Sequence, residues 1–172
     1  MEPWQNFYLQ KMGTDSSGVS YPLLESVSSW GVWCKSIPFK MGDKVKEPAK
    51  RAWNDEDGDD EYIPSSGLLM ESYTMKIEFG CKTTDAVSDV REKVSSFLRY
   101  LRTSGSLKMY SSHTRIGRQG VRLSQISDKA WKSGTAGKKR DEFLIFEVEF
   151  KVNDPVTSIE LKGGQLVSSQ DE

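Results

Sequence analysis

A single histidine, His113, stands among 172 residues, and its scarcity removes several chemistries at once. Any Ser-His-Asp or Cys-His arrangement would have to use that one ring, and no G-x-S-x-G turn accompanies it. His113 instead sits in a Ser/Thr-rich stretch that reads as an exposed turn. Only two cysteines are present, Cys34 and Cys81, far apart and without repeated spacing. That fits two buried free thiols in a reducing compartment better than a disulfide framework. No stretch approaches the roughly 20 apolar residues of a membrane span. Met1-Glu2-Pro3-Trp4 shows neither the basic segment nor the apolar run of a secretory signal. Net charge is missing as well: 24 Lys and Arg stand against 25 Asp and Glu. The average charge therefore singles out neither nucleic acid nor an acidic membrane as partner.

What is present is patterned hydrophobicity, in a chain long enough for one ordinary core. Leu69, Tyr73, Met75, Ile77, Phe79 and Cys81 fall on one parity, with Lys76 and Glu78 on the other. This predicts a strand with one buried and one wet face. Leu144, Phe146, Val148, Phe150 and Val152 repeat the pattern, and Asn153-Asp154-Pro155 ends it, since proline cannot donate to the ladder. Trp30, Val32 and Cys34 predict a further strand over Trp30 to Phe39, limited or placed at an edge by Pro38.

Between the strong strands, Thr83, Thr84 and Asp85 offer N-caps, and Val87, Val90, Val94, Phe97, Leu98 and Leu101 recur at helical spacing. The expectation is an amphipathic helix over Asp85 to Arg102, helped by an Asp89–Lys93 pair worth ~0.2 to 0.5 kcal/mol. Leu107 to Tyr110 and Val121 to Ile126 predict one or two strands about a turn at Ser111 to Thr114. Residues 1–28, rich in Ser, Gly and Gln with scattered aromatics, read as an N-terminal arm. Residues 29–162 read as a single domain and 163–172 as a solvated tail. The expected class is α+β: a mainly antiparallel sandwich or barrel flanked by one amphipathic helix.

Charge is polarised although it sums to almost nothing. In residues 41–66 the apolar signal nearly vanishes, and Lys44, Lys46, Lys50 and Arg51 are followed by Asp55, Glu56, Asp57, Asp59, Asp60 and Glu61. A long exposed loop is expected there, and such loops are often functional or disordered. Clustered carboxylates suit a hard cation, but the EF-hand register fails. With Asp55, Asp57 and Asp59 as the first three ligands, the required Gly falls on Asp60 and the closing Glu on Ser66. Residues 134–139 resemble a phosphate-binding loop only in outline, because Gly134 and Gly137 stand too close and Lys139 takes the Ser/Thr position. Gly117-Arg118-Gln119-Gly120 matches the G-x-x-G that clamps nucleic acid in KH domains, yet its flanks look like strands, so a hairpin turn is the expected role. No metal, nucleotide or other cofactor is expected.

From Arg99 to Arg140 there are eleven basic residues and one acidic one, Asp128, a local excess of ten positive charges. Two readings stand. Either the acidic loop and this segment face each other within one molecule, or they offer complementary patches to another protein or to further copies. The second reading makes Asp55, Glu56, Asp57, Asp59, Asp60 and Glu61 one side of a subunit interface, and Arg115, Arg118, Arg122, Lys138, Lys139 and Arg140 the other.

Ala52-Trp53-Asn54-Asp55-Glu56-Asp57-Gly58, Ile116-Gly117-Arg118-Gln119-Gly120 and Phe150-Lys151-Val152-Asn153-Asp154-Pro155, in that order about the strands and helix, resemble tail proteins of tailed bacteriophages. The likeness is to the tube, distal tail and tail-terminator group of Bacteroides-type phages and covers roughly residues 30–160. It implies a small β-sandwich or barrel with one helix, and a virion role without enzymatic activity. It also implies self-association into rings, often hexameric, and contacts with neighbouring tail proteins. Two other classes of function compete: a nucleic-acid-binding module using residues 99–140 and the G-x-x-G, and a metal-dependent hydrolase using the acidic loop. The lack of ligand spacings counts against the hydrolase.

Overall fold

Two long strands with alternating side chains form the spine of the molecule. The computed structural model describes residues 4–42, 44–82, 89–133 and 142–169. Strand β6 (Tyr73–Lys82) pairs antiparallel along its whole length with β9 (Glu142–Val152), setting Phe79 opposite Phe146, Ile77 opposite Val148 and Met75 opposite Phe150. The like-facing apolar residues give the pair one continuous buried face. On its other edge β9 carries β8 (Ile116–Ser133), then β7 (Leu107–Ser111), β1 (Phe7–Lys11) and β2 (Leu24–Glu25); β6 carries β3 (Val32–Cys34).

This seven-stranded sheet curls into a half-barrel, and the N-terminal segment links its two rims. Gln5 exchanges backbone hydrogen bonds of 2.7 and 2.8 Å with Cys34 on β3, and two residues later Phe7 begins β1 on the opposite side. The expected N-terminal arm is therefore, from Gln5 onward, part of the sheet: Phe7 and Leu9 are fully buried, and β1 pairs with β7 along its length. Helix α1 (Ser26–Trp30) follows β2, opened by Glu25, whose carboxylate accepts from the Ser28 amide at 2.7 Å. This corrects the expected strand at Trp30 to Phe39: Trp30 closes a helix and only Val32–Cys34 is strand. Trp30 is buried in either conformation, which is why alternation misread it.

Helix α2 (Val90–Ser104) lies across the concave side of the sheet. Asp89 Oδ1 accepts from the Arg91 amide at 2.9 Å as its N-cap, and Glu92 and Arg102 sit at the ends where the helix dipole favours them. The expected cap at Thr83 to Asp85 lies outside the described residues. Val90, Val94, Phe97 and Leu101 face inward. The Phe97 ring lies 5.3 to 6.1 Å from those of Trp30, Phe79, Phe7 and Phe146, which joins helix and sheet in one aromatic core.

A second hairpin, β10 (Ile159–Lys162) and β11 (Gln165–Ser168), closes one end. Gly163 and Gly164 take φ of 58° and 77°, as a two-residue turn between right-twisted strands demands. Leu166 is buried, its amide donates to Gln10 Oε1 at 2.9 Å, and its carbonyl accepts from Lys108 Nζ at 2.8 Å. The expected solvated tail is thus, through Ser168, part of the fold. Gly117 and Gly120 belong to β8 rather than to a turn, which lies at residues 112–115. A Cβ on Gly117 would stand 2.9 Å from the Ile159 carbonyl oxygen, so bare backbone is needed where β10 crosses β8. Asp154 fixes the chain after β9, accepting from Gln119 Nε2 at 2.8 Å and from the Thr157 amide at 3.0 Å. Burial tends to raise its pKa, but these donors and the Val156 amide outweigh burial and hold the carboxyl below its usual range.

Cys34 and Cys81 are free, buried thiols on the same face of β3 and β6. Burial pushes Cys34 up to about 12 and Cys81 to about 11. Neither forms appreciable thiolate at pH 8, so a thiol-reactive disulfide reagent should label neither in the native protein and both in guanidinium. Prompt native labelling of either would show that this edge of the sheet opens readily.

Candidate protein interaction surface

Between Lys40 and Met70 the chain leaves the sheet as a separate arm. One backbone ladder holds its root: the Lys46 amide donates to the Leu69 carbonyl at 2.7 Å, the Glu71 amide donates to the Lys44 carbonyl at 2.8 Å, and Val45 bridges Met70. Leu69, expected to begin the long strand, belongs to this root and is exposed. Beyond it, β4 (Ala49–Arg51) and β5 (Asp60–Tyr62) pair as a two-stranded ribbon whose six residues are all exposed. The expected loop is therefore an organised hairpin.

The ribbon's register brings the two charge blocks together. Lys50 stands opposite Glu61 and Arg51 opposite Asp60, and Lys50 Nζ lies 3.3 Å from Asp59 Oδ2. The Asp59 hydrogen bond and charge raise the Lys50 pKa. The Arg51 guanidinium covers the Trp53 ring at 3.7 Å. Part of the acidic cluster thus meets the basic block that precedes it in sequence. Exposed pairs of this kind contribute little, so Asp59→Asn should leave the melting temperature unchanged at low and high salt. A salt-sensitive drop would reveal a charge network extending beyond the ribbon.

Of the basic residues expected opposite the acidic loop, Arg115, Arg118 and Arg122 are described, on β8 or in the turn before it. Arg115 is exposed in the β7–β8 turn, and Arg122 is exposed on β8 with Nη1 donating to the Leu123 carbonyl at 3.2 Å. Arg118 is a correction: it is 3% exposed, its guanidinium turned into the protein rather than outward. Lys138, Lys139 and Arg140 lie outside the described residues, as does the loop at 134–139. His113 is exposed in its turn. Arg99, from the segment assigned to the nucleic-acid reading, borders a groove of about 380 Å³ on the outer side of α2 together with Arg91, Glu92, Ser95 and Ser96. Among the described residues no group of His, Cys, Asp or Glu could hold a metal, and no helix is long and apolar enough to cross a membrane.

The feature that charge had hidden is apolar. Met41, Trp53, Tyr62, Ile63, Leu68 and Leu69 are all large, hydrophobic and 43 to 83% exposed, and all lie on this one arm. A two-stranded ribbon is marginal by itself in water, and large apolar side chains collected on a protruding segment mark an interaction surface. In sequence, Trp53 and the Tyr62-Ile63 pair stood in a charged background without periodicity, so no pattern singled them out. Three large residues flanking a run of carboxylates, matched to no helical or strand period, were the available signal.

Sheet and arm together define a class: a curled antiparallel half-barrel, one helix packed in its hollow, and a long hairpin arm between β3 and β6. No family model and no curated protein matches the sequence. A solved structure shares the fold, that of the phage SPP1 Dit protein, described as a paradigm of the hub adsorption apparatus in phages infecting Gram-positive bacteria. The two superpose with a TM-score of 0.52 at 11% identity, over 92% of this chain and 52% of that one. The chain therefore spans about half the length of that structure, and at this identity the likeness is one of fold.

Proposed function

We propose that this protein is a structural subunit of a bacteriophage tail. It forms a ring at the distal tail, tube or terminator position and acts in the virion through protein contacts alone. The fold shared with the Dit structure over 92% of the chain carries the reading, and the exposed apolar arm gives it a physical means. Its partners are further copies of itself and the neighbouring tail proteins. The arm supplies the contact surface, with apolar residues giving affinity and the paired charges of its ribbon giving orientation. A head-to-tail contact that closes on itself yields a ring.

Sedimentation velocity across a wide concentration range, with negative-stain microscopy of the fastest species, tests it. A closed ring of a single size is the expected result. A strict monomer at every concentration, and no density for the chain in a virion's tail, would overturn the reading.

A further inference from the structure

Lys40 is the last residue before the chain leaves the barrel, and buried side chains hold its peptide from both sides. The Lys40 amide donates to Tyr73 Oη at 3.1 Å, and its carbonyl accepts from Arg118 Nη2 at 3.1 Å. Tyr73 is 4% exposed and Arg118 3%. The ladder between Lys44–Lys46 and Leu69–Glu71 ties the arm's two legs to each other, and the return leg runs on directly into β6; the outgoing leg meets the barrel at the Lys40 peptide, through Tyr73 and Arg118. Arg118 is otherwise poorly matched to its surroundings. Nη1 turns back to the Gly117 carbonyl at 3.0 Å, Nη2 lies 3.8 Å from Met41 Sδ, and Nε has no hydrogen-bond partner. Among the ion pairs of the described residues none includes Arg118.

A buried guanidinium resting on neutral acceptors, one N–H unmet, costs free energy, and an apolar side chain of like volume would fill the space without that cost. What only the planar fork supplies is a fixed donor aimed at the root of the arm. We infer that Arg118 is a positioning residue that sets the direction in which the arm leaves the barrel, through its bond to the Lys40 carbonyl. The inference rests on the reading of the arm as the contact element.

Nitroxide labels on Asp57→Cys in the arm and Ser96→Cys on the outer face of α2 report that direction as a distance distribution, with the labelled protein diluted into unlabelled protein. The parent should give a narrow distribution. Arg118→Met, which keeps the stem and loses the fork, should broaden it and speed amide exchange at Lys46 and Glu71 by about tenfold. Arg118→Lys keeps the charge but not the fork and should give an intermediate width, while Tyr73→Phe should loosen the same root from the other side. A broad distribution in the parent, an unchanged narrow one in a folded Arg118 variant, or unfolding of both Arg118 variants by circular dichroism would overturn the inference. If the arm loosens and sedimentation stays the same, the arm is not the contact element: the proposed role of the arm then fails while the role of Arg118 stands.

Discussion

Phe79→Ala should be among the most damaging single substitutions in the molecule, lowering stability by about 3 to 5 kcal/mol. Its ring stacks on Phe146 at 5.5 Å, meets Phe7, Phe97 and Phe150 at 5.3 to 6.2 Å, and is fully buried. Truncation would leave a hole at the point where β1, β6, β9 and α2 meet, all of them relatively rigid backbone unable to collapse into it. For a chain of this length the melting temperature should fall by roughly 6 to 20 °C. Phe79→Leu should fall much less, since most of the volume remains. Urea unfolding followed by tryptophan fluorescence measures both, and equal losses would mean that the ring contacts add nothing beyond volume.

A second large effect is expected in association rather than in folding. Replacing Trp53, Tyr62 and Ile63 together by Ser removes apolar area that is exposed in the isolated chain, so the monomer should lose little stability. The stacking of Arg51 on Trp53 would go with it, at about 0.5 to 1 kcal/mol. If these side chains become buried against a neighbour, each contributes ~1.5 to 3 kcal/mol to the contact, and their joint loss should weaken it by at least about a thousandfold. Sedimentation velocity read beside a thermal melt separates the two quantities. Unchanged association would place the contact elsewhere, and a large fall in melting temperature would show that the arm folds back onto its own barrel.

Much of the sheet was legible because period-two alternation over β6 and β9 has one physical explanation, a strand with one face in a core. The inward stripe of α2 was legible for the same kind of reason. The start was missed because β1 places a polar residue inside: Gln10 is 3% exposed, donates to the Tyr21 carbonyl at 2.7 Å and accepts from the Leu166 amide. A glutamine satisfied on both ends counts as core, and composition counts it as surface. β10 and β11 were missed because four residues are too few for a period to show, and Ile159 and Leu166 are their only fully inward apolar members.

The candidate surface was half legible. Charge blocks marked residues 41–66 as unusual, but the register that pairs Lys50 and Arg51 with the acidic side of the same ribbon depends on where the hairpin turns. Arg118 shows the converse error: a basic residue between glycines reads as an outward turn, and here it lies within β8 opposite the buried Met109, its guanidinium on the Lys40 carbonyl. The bridge between Arg118 and Ser158 that brings β10 there is long-range, and no local pattern announces it.

The link between the rims made by Gln5 and β1 also has a consequence in time. β1 is synthesised well before its partner strand: Phe7 pairs with Ser111, about a hundred residues later. At ordinary rates of translation this delay is roughly 5 to 20 s, long on the scale of strand pairing. Through that interval Phe7 and Leu9 lack the β7 side of their sheet, and closure awaits the far strand. Nascent chains of this protein should therefore pass through an open form with a bare, sticky rim, and be most open to mispairing with one another just before residue 111 emerges.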